Sequence, residues 1–151
     1  MSILKRDGAN GVIAYPKKII TALANGTIAI GNVVKVETDV SADPDPDTYG
    51  AAGFVVTATA ESNSPLAFGV ATTAAADGEE VQVQVAGFND TCVAAEAIAI
   101  GALVSGSASG QLRDCDAIDD ETVFPFGVCV NAIGSGLSDG AILIMDKGWF
   151  Y

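Results

Sequence analysis

The feature that most limits what this chain can fold into is a pattern it writes twice. "IAIG" stands at Ile28–Gly31 and again at Ile98–Gly101. "FGV" stands at Phe68–Val70 and again at Phe126–Val128. Asp-Gly dipeptides follow at 77–78 and 139–140, and Gly-aromatic pairs at Gly87-Phe88 and Gly148-Trp149. The order is the same in both copies. The first copy has the longer connection between its "IAIG" and its "FGV". That connection includes the Pro-rich "SADPDPDTYG", which reads as a surface loop. Four matches in one order indicate a duplicated unit. One small β unit is marginal alone, whereas two can bury each other's apolar faces.

Each copy is spelled in strands. "VQVQV" puts Val81, Val83 and Val85 on one face and Gln82 and Gln84 on the other, outward face. "NVVKVET", "GFVVTATA", "PLAFGVAT", "FGVCVNA" and "GAILIM" are short, rich in β-branched residues and bounded by Gly, Pro, Asp or Asn. The Asp-Gly pairs are hairpin-type turns feeding strands. Helix signals are weak: "KKIITALANG" (17–26) and "TCVAAEAIAIG" (91–101) could each form a turn or two. The expected fold is all-β, a compact β-barrel, β-tulip or sandwich built from two similar units, 26–90 and 96–151. These make one β domain, 26–151, behind an extended N-terminal arm, 1–25. The closing strand "GAILIM" is apolar on both faces, with Ile142 and Ile144 on one and Leu143 and Met145 on the other. Such a strand is either central to the core or covered by another subunit. Those four residues are therefore the candidate subunit interface.

Charge separates the arm from the body. The net charge is −12, yet Lys5, Arg6, Lys17 and Lys18 against Asp7 give the segment 1–18 a charge of +3, which leaves −15 on the rest. An acidic body argues against a nucleic-acid partner, which would need phosphates neutralised. A basic tail on it suggests an arm that finds an acidic surface, the plain alternative being a solvated terminus. Hydrophobic residues make up 50% and charged ones 17%, against a typical ~25% charged. That points to self-association, to docking on a partner, or to a core of small residues.

Catalytic machinery is not evident in the sequence. With no histidine, the commonest general base, the usual triads and most catalytic zinc sites are missing. The acids of "DPDPD" (Asp43, Asp45, Asp47) superficially follow a calcium loop, but Pro44 and Pro46 stiffen the segment and the required glycine is absent. "DCDAIDDE" (114–121) offers neighbouring acids that a strand would send to opposite faces. "GSASG" (106–110) has alanine where a nucleophile elbow needs serine. Cys92, Cys115 and Cys129 are odd in number and lack CxxC spacing, so buried free thiols are expected. No run approaches the ~20 apolar residues of a membrane helix, and polar "DGAN" follows the first basic pair where a signal peptide would turn apolar. No cofactor, metal, nucleic acid or membrane is expected.

The "IAIG-x-V-V" entry, "FGVA…AAADGEEVQVQVAGF", the second entry "AIAIGALV" and the closing "FGV…DGAILI" together resemble tailed-phage capsid decoration (cement) proteins. More loosely they resemble the β-tulip head-stabilising proteins of lambdoid phages. The resemblance covers about residues 26 to 146. It implies a structural protein and no enzyme: a homotrimer on the outer capsid surface of the virion, made in the host cytoplasm, clamping neighbouring major capsid proteins. It also implies that the N-terminal arm makes the shell contact, through Lys5, Arg6, Tyr15, Lys17 and Lys18. The long "DPDPD" loop and the acidic body depart from the pattern. The alternative is a β-sandwich that binds carbohydrate or a host surface, with Trp149, Phe150 and Tyr151 as an aromatic platform. Against that platform, Trp149 could instead fill the core slot that Phe88 occupies in the first copy.

Overall fold

The computed structural model describes residues 5–7, 12–14, 17–37, 55–60, 66–115 and 124–145. Strands β1 (Lys5–Asp7) and β2 (Val12–Ala14) pair antiparallel in a small sheet of their own. One larger sheet holds β3 (Lys18–Ala24), β4 (Val33–Val36), β5 (Val55–Ala58), β6 (Ala67–Ala71), β7 (Glu80–Asn89), β8 (Leu103–Gly106), β9 (Leu112–Asp114), β10 (Gly127–Asn131) and β11 (Ala141–Ile144). Its order runs β3-β5-β4-β6-β7, and β3 also pairs with β7, so the first five strands close into a barrel. A short 3-10 turn spans Ala108–Gly110 between β8 and β9.

Strand β7 belongs to both halves. Up to Ala86 it pairs with β3 and β6; from Gly87 onward its partner is β11, which leads to β10, β8 and β9. Gly87, at the change of partner, has φ +94°, a conformation that side chains disfavour. The second ring closes through the chain that leaves β7. Ala94 bridges Leu112 in parallel, with Leu112 N donating to Val93 O (2.8 Å) and Ala95 N to Leu112 O (2.7 Å). This repeats the parallel β3–β5 pairing of the first barrel.

Equivalent hydrogen bonds recur in the two copies. Ile28 and Ala75 exchange two hydrogen bonds of 2.9 Å, as Ile98 and Ile133 do at 2.9 and 3.0 Å. Gly31 N donates to Ala71 O and Gly101 N to Cys129 O, both at 2.8 Å. The turn equivalence differs from expectation, however. The counterpart of Asp77-Gly78 is Ser135-Gly136, because Gly78 N bonds Ala24 O and Gly136 N bonds Ala94 O, each at 2.8 Å, with φ +77° and +71°. The turn requires a residue at positive φ, and Gly136, upstream of Gly140, supplies it. Asp139 instead accepts a hydrogen bond from Gly134 N at 2.9 Å.

Three further expectations are corrected. The segment 17–26 is no helix: Lys18–Ala24 is a strand closing the barrel, where β-branched Ile19, Ile20 and Thr21 suit a pleated surface. The body therefore begins at Lys18 rather than 26. The arm is not wholly extended either, since β1 and β2 form a hairpin. The other helical suggestion, 91–101, holds isolated bridges at Ala94 and Ile98.

The two barrels fill differently. Barrel one encloses Ala22, Ala24, Ile28, Val34, Val56, Phe68, Ala71, Ala75, Val81, Val83 and Val85. Small and β-branched side chains suit a five-stranded lumen, which is where much of the chain's apolar composition goes. Ile98, Val104, Leu112, Phe126, Cys129, Ile142 and Ile144 form the core of barrel two. Val33, Ala67 and Val70 belong to β4 and β6 yet pack into this second cluster, fully buried. The outside of barrel one is thus an inside surface of the molecule. Gln84, expected to face outward to solvent, is accordingly only 1% exposed. Its amide is satisfied there: Nε2 donates to Ala86 O (3.1 Å) and Phe88 O (2.7 Å), and Oε1 accepts from Asn89 Nδ2 (3.2 Å).

Gly31 and Gly26 test how closely the halves meet. Both have positive φ, +85° and +82°, but a Cβ on Gly31 would strike the backbone carbonyl of Thr91, whereas one on Gly26 meets nothing within 4 Å. Gly26→Ala should cost about 1 kcal/mol and Gly31→Ala at least twice that. Denaturant midpoints at unchanged slope measure the difference; equal losses would mean that the Gly31–Thr91 approach is unimportant.

Candidate functional site

Registers across the strands define two matching rows of residues. Residues directly opposite on antiparallel strands share a face. In barrel one, Ile19 faces Gln84, Gln84 faces Val70, and Val70 faces Val33, a row crossing β3, β7, β6 and β4. In barrel two, Phe88 faces Leu143, Leu143 faces Val128, and Val128 faces Leu103, crossing β7, β11, β10 and β8. The first row is covered over Gln84, Val70 and Val33, and only Ile19, at its end, is 47% exposed. In the second row Phe88, Leu143 and Val128 are half-buried and Leu103 is 38% exposed, with Met145 (39%) next along from Leu143. The result is an uncharged apolar stripe four strands wide, partly exposed on the outside of barrel two.

This arrangement divides the four candidate interface residues. Ile142 and Ile144 lie in the chain's own core, 0% and 2% exposed, because alternation turns them into barrel two. Leu143 and Met145 occupy the opposite, accessible face. Phe88, Val128 and Leu103 join them without having been singled out by the sequence. Their signal is there to be read, since aligning the two "FGV" and "IAIG" copies sets Val128 on Val70 and Leu103 on Val33.

The described residues include four of the five candidate contact residues of the arm. Lys5 and Arg6 lie on β1, Tyr15 falls outside the described residues, Lys17 is exposed just before β3, and Lys18 opens β3. Lys17 lines a surface depression with Phe88, Asp90, Val130 and Asn131, so the base of the arm lies beside the apolar stripe. On the body, Arg113 pairs with Glu96 at 3.5 Å. The turns at Ile30 and Ile100 are equivalent, and both isoleucines are exposed, at 56% and 67%.

Chemical groups suited to catalysis do not converge among the described residues. Among the described residues no three His, Cys, Asp or Glu side chains stand together as a metal site. The acidic segments at 43–47 and 116–121 and the aromatic residues 149–151 lie outside the described residues. All three cysteines are buried and none is in a disulfide. Burial, reinforced by the charge of Asp90, pushes the Cys92 thiol from 9.0 up to about 12. A thiol so raised is a poor nucleophile. Among the described residues no helix is long and apolar enough to cross a membrane.

A disulfide-exchange reagent at pH 8 should therefore find no reactive thiol in the native protein and three after denaturation. The raised pKa also sets a pH dependence. The folded state keeps its proton where the unfolded chain loses it, so stability holds below pH 9 and falls between pH 9 and about 12. Cys92→Ala should flatten that decline in pH-dependent melting; an unchanged slope would assign it to other groups.

Two of the three comparisons with known proteins give matches. The family model described as phage cement protein matches residues 15–144. A solved structure, the head fiber gp8.5 N base of bacteriophage phi29, is similar at TM-score 0.55 and 16% identity, over 86% of this chain and 95% of that one. At that identity the likeness speaks to the fold, an all-β architecture with a closed five-stranded barrel. No curated protein sequence matches.

Proposed function

The chain belongs to the phage cement protein family, and from that membership we propose that it binds the outer surface of a phage head and clamps neighbouring major capsid proteins. It is a structural protein associated with the phage head. The observation that supports the finer reading is the extent of the match: residues 15–144 take in both barrels, from before β3 to the end of β11. We further propose that it acts as a homotrimer, made in the host cytoplasm, with no enzymatic activity.

Attachment is assigned to the arm. A body with a net charge of −15 is poorly suited to approach an acidic shell, whereas the segment 1–18 carries +3. The hairpin of β1 and β2 lies in a sheet separate from the barrels, which supports the idea that it can engage another surface while the body stays folded. Lys5 and Arg6 on β1, with Tyr15, Lys17 and Lys18 at the base of the arm, supply the attractive charge and contact, and the outer edge of the hairpin can add to a neighbouring sheet.

Deleting residues 1–16 should leave the β body folded, by circular dichroism, and abolish co-sedimentation with heads purified without this protein. For the intact chain, binding should weaken partially as salt rises from about 0.05 to 0.5 M, because exposed charge contacts are screened over roughly 10 Å or less while backbone and apolar contacts resist. A folded, truncated chain that binds as tightly as the intact one would move the attachment surface to the body.

A further inference from the structure

We propose that Ile30 and Ile100, at the apexes of two equivalent turns, are paired apolar contacts that seat in the same kind of socket on two neighbouring copies of the capsid protein. The inference rests on the reading of the protein as a clamp on the phage head, and it names the part of the surface that spans two subunits.

The two turns are built alike. Asn32 N donates to Ala29 O at 3.1 Å and Ala102 N to Ala99 O at 3.2 Å, closing a four-residue turn in each barrel. The third residue is glycine, at φ +85° and +88°, while the isoleucine before it keeps a negative φ. That is a type II turn, whose second position favours proline and makes no demand for a bulky apolar side chain. Other letters of the repeated "IAIG" have reasons inside the chain. Its first isoleucine, Ile28 or Ile98, is a buried bridge residue, and its glycine holds the positive φ. Its second isoleucine has no such reason, being 56% exposed at Ile30 and 67% at Ile100. Exposed alanines flank each bridge, Ala29 and Ala74 in barrel one and Ala99 and Ala132 in barrel two, and they are too short to cover it.

Other exposed positions around these turns differ between the copies: Thr27 against Ala97, Asp77 against Ser135, and Glu79 against Leu137. An isoleucine kept at both exposed apexes while such positions have diverged serves a contact outside the chain. Two equal projections on one body call for two equal partners. A shell of repeated subunits presents the same surface again and again, and the strand common to both barrels, β7, ties the two isoleucines to one frame. Seating one holds the other near its own socket, which raises its effective concentration there. The contact is uncharged, so a net charge of −12 does not oppose it. It supplies the part of head binding that persists once salt has screened the charges of the arm.

The test is co-sedimentation of the full-length chain with heads purified without it, at about 0.05 and 0.5 M salt. At the higher salt, Ile30→Ser and Ile100→Ser should each weaken binding about tenfold and the double variant about a hundredfold, the size expected when a half-exposed aliphatic side chain is no longer buried. At the lower salt the double variant should still sediment with heads, held by the arm. Because both residues are exposed, circular dichroism and the denaturant midpoint should not change. Ile30→Val combined with Ile100→Val should keep most of the binding. Folded serine variants that bind like the wild type would overturn the proposal and leave head binding standing. A loss confined to one of the two isoleucines would overturn their pairing. A wild type that does not bind heads would remove the head-binding reading and the proposal with it. Light scattering of the serine variants without heads should match the wild type; a lower mass would assign the isoleucines to contact between copies of this chain and overturn the capsid assignment.

Discussion

The structure depends on one burial: the outside of barrel one packed into the second hydrophobic cluster. Val33, Ala67 and Val70 would be surface residues in an isolated barrel, and covering them is what makes two small rings a single folded unit. Each ring alone is of a size that water would leave marginal. Burying apolar side chains of this kind contributes about 1.5–3 kcal/mol each relative to exposure, so the junction is of the same order as the whole stability of a small domain. Strand β7 enforces it covalently, because one unbroken strand, Glu80–Asn89, serves as the last of one ring and the first of the next. Further pins surround the junction: Thr59 Oγ1 donates to Ser107 O at 2.6 Å, and Gly110 N donates to Thr59 O at 2.9 Å.

Much of this is legible in the sequence because the repeat is a pattern of backbone requirements. Glycine at a positive-φ turn, an isoleucine that bridges, and alternating valines survive as letters even when the loops change. The all-β class and the buried cysteines follow from the same reading. What the letters do not carry is which side of a strand meets another part of the chain. Gln84 looks outward by alternation and is outward with respect to its own barrel; only the second barrel buries it. For the same reason "GAILIM" reads as apolar on two faces with nothing to divide them. The barrel interior takes Ile142 and Ile144, while Leu143 and Met145 face away.

Local propensity misleads at 17–26, where alanines and lysines suggest helix. The unpaired side of β7 settles the matter, since five strands close only if Lys18–Ala24 pairs along it. The second Asp-Gly misleads for a different reason. A dipeptide marks a turn, but the equivalent turn is the one whose glycine donates to the equivalent carbonyl, and that glycine is Gly136. The candidate arm residues are legible in the sequence as charge, which by itself does not say how the fold arranges them.

The pairing of β3 with β7 has a mechanical side. Six register pairs join the two strands, from Lys18 opposite Ala86 to Leu23 opposite Glu80. The arm leaves from the Lys18 end, beside the kink at Gly87 where the two barrels share their strand. Antiparallel hydrogen bonds lie across the strand axis, so a pull on the arm along that axis loads the whole ladder in shear instead of opening it one bond at a time. The force is also delivered to the strand common to both rings. A segment rooted there would yield only when several bonds give way together.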